Sequence, residues 1–125
     1  MSSMGNFEAV AEVGKNILRL SFAGEIKASD MPGYGETLKQ ALNGITPGFK
    51  LLVDLTPLVS MEFACAQSIR EIMDLLNARG IKLIVRVLPD RTKDIGFTIM
   101  SLFHYPRGLK IITVDTIEEG ERALR

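Results

Sequence analysis

The stretch "LLVDLTPLVSMEFACAQSIREIM", Leu51 to Met73, decides the fold. Its opening "LLVDL" is nearly all apolar, as expected for a parallel strand covered on both faces. A short loop, "TPLVSME" (Thr56 to Glu62), follows. Cys65, Ile69, Ile72 and Met73 then recur at steps of three and four, and Leu76 continues them, so they share one stripe of a helix. Arg70, Glu71, Asp74 and Asn77 fall on the opposite face, and Gly80 marks the exit. The carboxyl end of such a strand is where open α/β domains gather ligands. Here that corner is apolar: Met61, Phe63, Ala64 and Cys65, with Ser60 and Glu62 as its polar side chains.

Working toward the N-terminus, "SDMPGYGETLKQALNGI" has helical period. Met31, Tyr34, Leu38, Ala41, Leu42 and Ile45 fall on one stripe, with Ser29 or Asp30 expected to cap it, Pro32 in the first turn and Gly44 at the exit. "FEAVAEV" and "NILRLSFAG" are extended segments. They flank Gly14-Lys15, which predicts a tight hairpin with glycine supplying the positive φ. Toward the C-terminus, "IKLIVRVL" is a buried strand, "RTKDIGFTIMSLFHY" is helical, "LKIITVD" is a strand and "TIEEGERALR" a helix. Thr116 and Glu119 form a capping box for that last helix. The order β-β-α-β-α-β-α-β-α implies right-handed crossovers, and hence an α/β fold with a mostly parallel five-stranded sheet. The N-terminal strand is its antiparallel edge. No repeat or linker divides the chain, so one domain over 1–125 is expected.

The 125 residues suffice for one core, and 46% hydrophobic with 24% charged residues describes a globular chain. Fifteen basic residues balance fifteen acidic ones, which argues against a nucleic-acid footprint or a polybasic membrane anchor. A single cysteine makes no internal disulfide. With no signal-peptide pattern and no apolar run of ~18 residues, a cytoplasmic domain is expected.

Three loops are expected at the carboxyl edge of the sheet: "GEIKASD", "TPLVSME" and "PDRTKD". They carry Glu25, Lys27, Asp30, Asp54, Glu62, Asp90, Arg91 and Lys93, a mixture typical of solvated loops. The phosphate cradle, the dinucleotide-binding glycine pattern and the G-x-S-x-G elbow are all missing. One histidine and one cysteine build no typical zinc site, so no metal or cofactor is expected. Cys65 lies on the apolar stripe of its helix, where cysteine packs as a small hydrophobe. His104, near a helix C-terminus, suits a surface role. The helix expected from Arg91 has two apolar stripes. Ile95, Ile99, Leu102 and Phe103 can dock on the sheet, while Phe97, Met100 and His104 form a second stripe. That second stripe is either an exposed patch or is buried under the C-terminal segment with Tyr105 and Leu109.

With these elements in place the chain resembles the STAS domains, the anti-sigma-factor-antagonist-like family, from about Phe7 to Leu124. The features that carry the resemblance are the antiparallel first strand, the strand ending in Asp54-Leu55 before a loop and helix, and the terminal "IITVDTIEEGERAL". In phosphorylation-switched members that helix opens with an aspartate, a hydroxyl pair and a glycine, and phosphorylation of the serine blocks docking. Here Glu62 stands for the aspartate, Phe63 and Ala64 for the hydroxyl pair and Cys65 for the glycine. Thr56, Ser60 and Ser68 are nearby hydroxyls out of register with that motif, and Ser60 reads as a helix N-cap.

The resemblance implies a non-enzymatic bacterial regulatory module. It would bind a protein partner, or itself, through Ser60, Met61, Glu62, Phe63 and Ala64, with Phe97 and Met100 as a second surface and no phosphorylation switch. The alternative is an apolar small-molecule binder, for a lipid or acyl chain. Its pocket would lie between the sheet and the helix expected from Arg91, with Phe97 and Met100 as lining and Arg91 or Lys93 holding a carboxylate. An enzyme using Asp30, Asp54 or Glu62 is the third reading. The open edge strand Phe7–Val13 makes a dimer plausible.

Overall fold

Parallel strands rich in Leu, Ile and Val need helices on both faces, and the chain supplies them. The computed structural model describes residues 4–89 and 109–125. Its strands are β1 (Asn6–Glu12), β2 (Ile17–Ile26), β3 (Lys50–Asp54), β4 (Leu58–Met61), β5 (Leu83–Val87) and β6 (Lys110–Val114). Its described helices are α1 (Met31–Leu42), α2 (Ala66–Ala78) and α3 (Ile117–Ala123). The sheet runs β1-β2-β3-β5-β6, with β1 antiparallel to β2 and the remaining pairs parallel. The α/β architecture with its antiparallel edge strand is therefore the one expected. The helix expected from Arg91, with Phe97, Met100 and His104, lies outside the described residues.

Alternation sorts the side chains onto two faces. Leu18, Leu20 and Phe22 of β2, with Leu51, Val53 and Ile84, pack against Met31, Leu38 and Leu42 of α1 and Ile69, Met73 and Leu76 of α2. Cys65 is fully buried in this cluster, as its position on the stripe required. Tyr34 stacks on Phe7 at 5.0 Å and brings α1 under β1. On the other face Ile17, Leu52, Leu83, Val85 and Val87 form a smaller cluster closed by Leu124 after α3. The start of α3 is as expected at Thr116, whose Oγ1 accepts from the Glu119 N–H (3.1 Å).

Four details differ from the sequence reading. The loop Thr56–Glu62 contains a sixth strand, β4, beside the five expected. The ten-residue β2 outruns β3, which pairs only with Ile17 to Ser21, and β4 pairs in parallel with Gly24 to Ile26 beyond it. Otherwise the backbone groups of that overhang would lack partners. The register shifts at Gly24, whose φ of 71° suits a bulge that other residues adopt with strain.

The hairpin after β1 turns through a 3-10 segment (Val13–Lys15), and its positive φ, 56°, belongs to Asn16, not Gly14. Asparagine is useful there because its amide donates to the Thr46 carbonyl (3.1 Å) and accepts from the Thr46 N–H (2.9 Å), tying the hairpin to the segment before β3.

The expected caps also differ. Ser60 lies within β4 and is not an N-cap, because a 3-10 turn (Phe63–Cys65) intervenes before α2. Asp30 occupies the N-cap of α1, but its carboxylate accepts from the Lys27 N–H (2.9 Å) and closes the preceding 3-10 turn, Ala28–Asp30.

Candidate functional site

The end of β2, the turn before α1, β4 and the turn before α2 meet at one corner, and short hydrogen bonds fix it. The Gly24 N–H donates to the Pro57 carbonyl (3.0 Å), and the Glu62 N–H donates to the Ile26 carbonyl (3.0 Å). Glu62 Oε1 accepts from the Ala28 N–H (2.8 Å), so its carboxylate bridges the two turns. The Cys65 N–H closes its own turn on the Glu62 carbonyl (2.9 Å). Asp54 Oδ1 accepts from the Thr56 N–H (3.0 Å) and shapes the exit from β3. The three acids considered for acid–base chemistry are thus each engaged by a backbone N–H, a local one for Asp30 and Asp54 and that of the distant Ala28 for Glu62.

On this scaffold the apolar residues divide. Met61 is half-buried and packs on the main core, and Cys65 lies wholly inside it. Phe63 points the other way, 74% exposed, on a turn whose neighbours are held. Ser60, Glu62 and Ala64 are exposed beside it. The five expected contact residues are therefore brought together, with Phe63 as the large projecting group. Sequence reading missed Val59, which is 52% exposed in β4. It also missed Met4, 88% exposed, which bridges to Glu25, the residue paired with Ser60. Neither signal was local: Val59 and Met4 join the corner only because β4 and the N-terminal segment flank the same stretch of β2.

Burial pushes the Cys65 thiol above its ordinary range, and the nearby charges of Glu62 and Asp30 push it the same way. Its Sγ lies 4.0 Å from the Ile26 carbonyl. A thiol so held is protonated and a poor nucleophile. Burial likewise raises the Tyr34 hydroxyl, with Asp30 and Cys65 adding to the effect. No cluster of His, Cys, Asp and Glu suited to a metal ion occurs among the described residues.

Among the described residues, concavities also lie elsewhere. A groove of about 430 Å³ between α1 and α2 is lined by Met31, Pro32, Leu38, Ile72 and Leu75, with Lys39 and Glu71 among its polar residues. Ser68 also lines this groove, and Thr56 is exposed beyond β3. A hollow of about 320 Å³ on the opposite sheet face includes Val10, Arg19, Asp54, Ile117 and Glu121. Arg91, Lys93, Phe97 and Met100, expected to line an apolar pocket, lie outside the described residues. No described helix is long and apolar enough to cross a membrane.

No family model matches the chain, and no curated protein matches it. A solved structure does: an uncharacterised protein of the DUF3478 family with a SpoIIAA-like fold, from Shewanella loihica PV-4. The two share 16% identity over 100% of this chain and 98% of that one, with a TM-score of 0.73. This chain therefore has a SpoIIAA-like, that is STAS-like, fold, as the resemblance implied.

Proposed function

We propose that this chain is a non-enzymatic STAS-like module of a cytoplasmic regulatory pathway, binding a protein partner through the corner Ser60–Ala64 with Phe63 as the anchor. The observation that carries the reading is Phe63: a large aromatic ring, 74% exposed, on a turn fixed by hydrogen bonds on both sides. Aromatic side chains dominate the energetics of interfaces, and a rigid mount lowers the entropy lost on docking.

The engagement of Asp30, Asp54 and Glu62 by backbone N–H groups supports a role without catalysis, as does the buried Cys65 thiol. With Phe63 and Ala64 where switched relatives carry hydroxyls, docking here would be constitutive or controlled by partner supply. The balanced charge favours a protein over a nucleic acid.

A photoreactive phenylalanine analogue placed at position 63 tests this. A discrete protein adduct in host cells is expected, and Phe63→Asp introduced next to an analogue at position 59 should remove it. The same adducts from an analogue at exposed Glu118 would overturn the assignment. A small-molecule adduct on the native protein, lost on denaturation, would replace it with the apolar-ligand reading.

A further inference from the structure

We propose that β1 is a dimerisation edge, to which a second copy of this chain adds antiparallel about a two-fold axis through Ala9. β1 pairs with β2 on one side, and no described strand lies on the other. An open edge presents N–H and C=O groups spaced for another strand, and the residues of β1 select which one.

With Ala9 opposite its own copy, all seven residues overlap: Asn6 faces Glu12, Phe7 faces Ala11 and Glu8 faces Val10. Within the seven residues of β1 every other register is shorter. The two next longest, centred on Glu8 or on Val10, set Glu8 against itself or against Glu12, and like charges directly opposite are unfavourable. The longest pairing is therefore also one that separates the carboxylates. In the row facing α1, the ring of Phe7 meets the methyl of Ala11 at each end, large against small. In the other row Val10, 57% exposed, is covered by the methylenes of the opposing Glu8. Glu12 keeps its ion pair with Arg19 (2.9 Å) and gains an amide neighbour in Asn6.

The pairing does not use the Phe63 corner, so either proposal can fail without the other. Sedimentation velocity over a concentration series tests it on the full chain with Val10→Glu and Val10→Lys. The wild type is expected to be a reversible dimer. Val10→Glu places a second carboxylate opposite Glu8 at two symmetric positions and should weaken association about tenfold. Val10→Lys places an ammonium there and should tighten it, an effect that Glu8→Gln cancels. Because Val10 is exposed, both variants are expected to stay folded, which their circular dichroism checks. A wild type that is monomeric throughout, or a dimer shifted the same way by both substitutions, would overturn the proposal.

Discussion

Among the described residues, the two faces of the sheet are held by different physics. Beneath α1 and α2 the contact is apolar throughout: Leu18, Leu20, Phe22, Leu51 and Val53 meet Met31, Leu38, Ile69 and Met73. Beneath α3 the apolar cluster among the described residues is smaller, and two cations tie the helix to the sheet. Arg19 donates through Nε and one terminal nitrogen to both oxygens of Glu121 (3.0 and 2.9 Å), and its other terminal nitrogen reaches Glu12. The Lys50 ammonium donates to the Leu124 carbonyl (2.8 Å). Apolar burial is nearly indifferent to pH and salt, whereas partly exposed ion pairs respond to both. The difference teaches that α3 is the most conditional of the described helices.

The largest expected effect tests the apolar face. Leu38→Ala empties a fully buried site between α1 and the sheet and should destabilise by about 3 kcal/mol in urea unfolding. A loss below ~1 kcal/mol would mean that this face is loosely packed.

Gly120→Ala probes how tightly α3 is seated. In the middle of a helix alanine should help by roughly 1 kcal/mol. Here, however, its Cβ would lie 2.9 Å from Leu52 Cδ1 and 3.0 Å from Val87 Cγ2. Crowding a packed site costs about 1–3 kcal/mol, so a net destabilisation of about 1 kcal/mol is expected. A stabilised variant would show that α3 can lift without penalty.

Glu121→Gln breaks the bidentate pair. Because both partners are partly exposed, a loss of only about 0.5–1 kcal/mol is expected, shrinking as salt is added. The pH dependence has a definite sign. The Arg19 hydrogen bonds hold the Glu121 carboxyl below its ordinary range, more strongly than burial raises it. A carboxyl whose folded value is depressed stabilises fully above the unfolded value, about 4.3, and loses that contribution as pH falls through the folded value. The protection factor of the Leu124 amide, its exchange rate divided into the intrinsic rate at each pH, should therefore fall on acidification before that of Leu18. A parallel fall in the two protection factors would erase the distinction between the faces.

The smallest expected effect on stability is at the corner. Phe63→Asp should change unfolding free energy by no more than ~0.5 kcal/mol, since its ring contributes little to the core. A large loss would show the ring to be structural and remove it as an anchor.

Much of this was legible in the chain because it depends on local period. The alternation of Leu18, Leu20 and Phe22, the stripe from Met31 to Leu42, the stripe through Ile69, Met73 and Leu76, and Thr116 with Glu119 each specify an element from its own residues. β4 was not legible: Leu58–Met61 is short, follows Pro57 and shows no clean alternation, and it becomes a strand only where β2 overhangs β3. Asn16 in place of Gly14 depended on Thr46, thirty residues away. The Arg19 clamp depended on Glu121, across most of the chain.

The candidate site divides in the same way. The sequence by itself determined that the corner after β3 would be apolar and would lack the hydroxyl pair, because residue identity there is independent of geometry. Only the tertiary structure decided that Cys65 and Met61 turn inward while Phe63 turns out. Three alternate residues, at the end of β4 and in the turn after it, diverge in direction, and which of them meets the core depends on where β2 and the turn Ala28–Asp30 hold the backbone through Glu62. That is a relation between segments distant in sequence, and no local pattern encodes it.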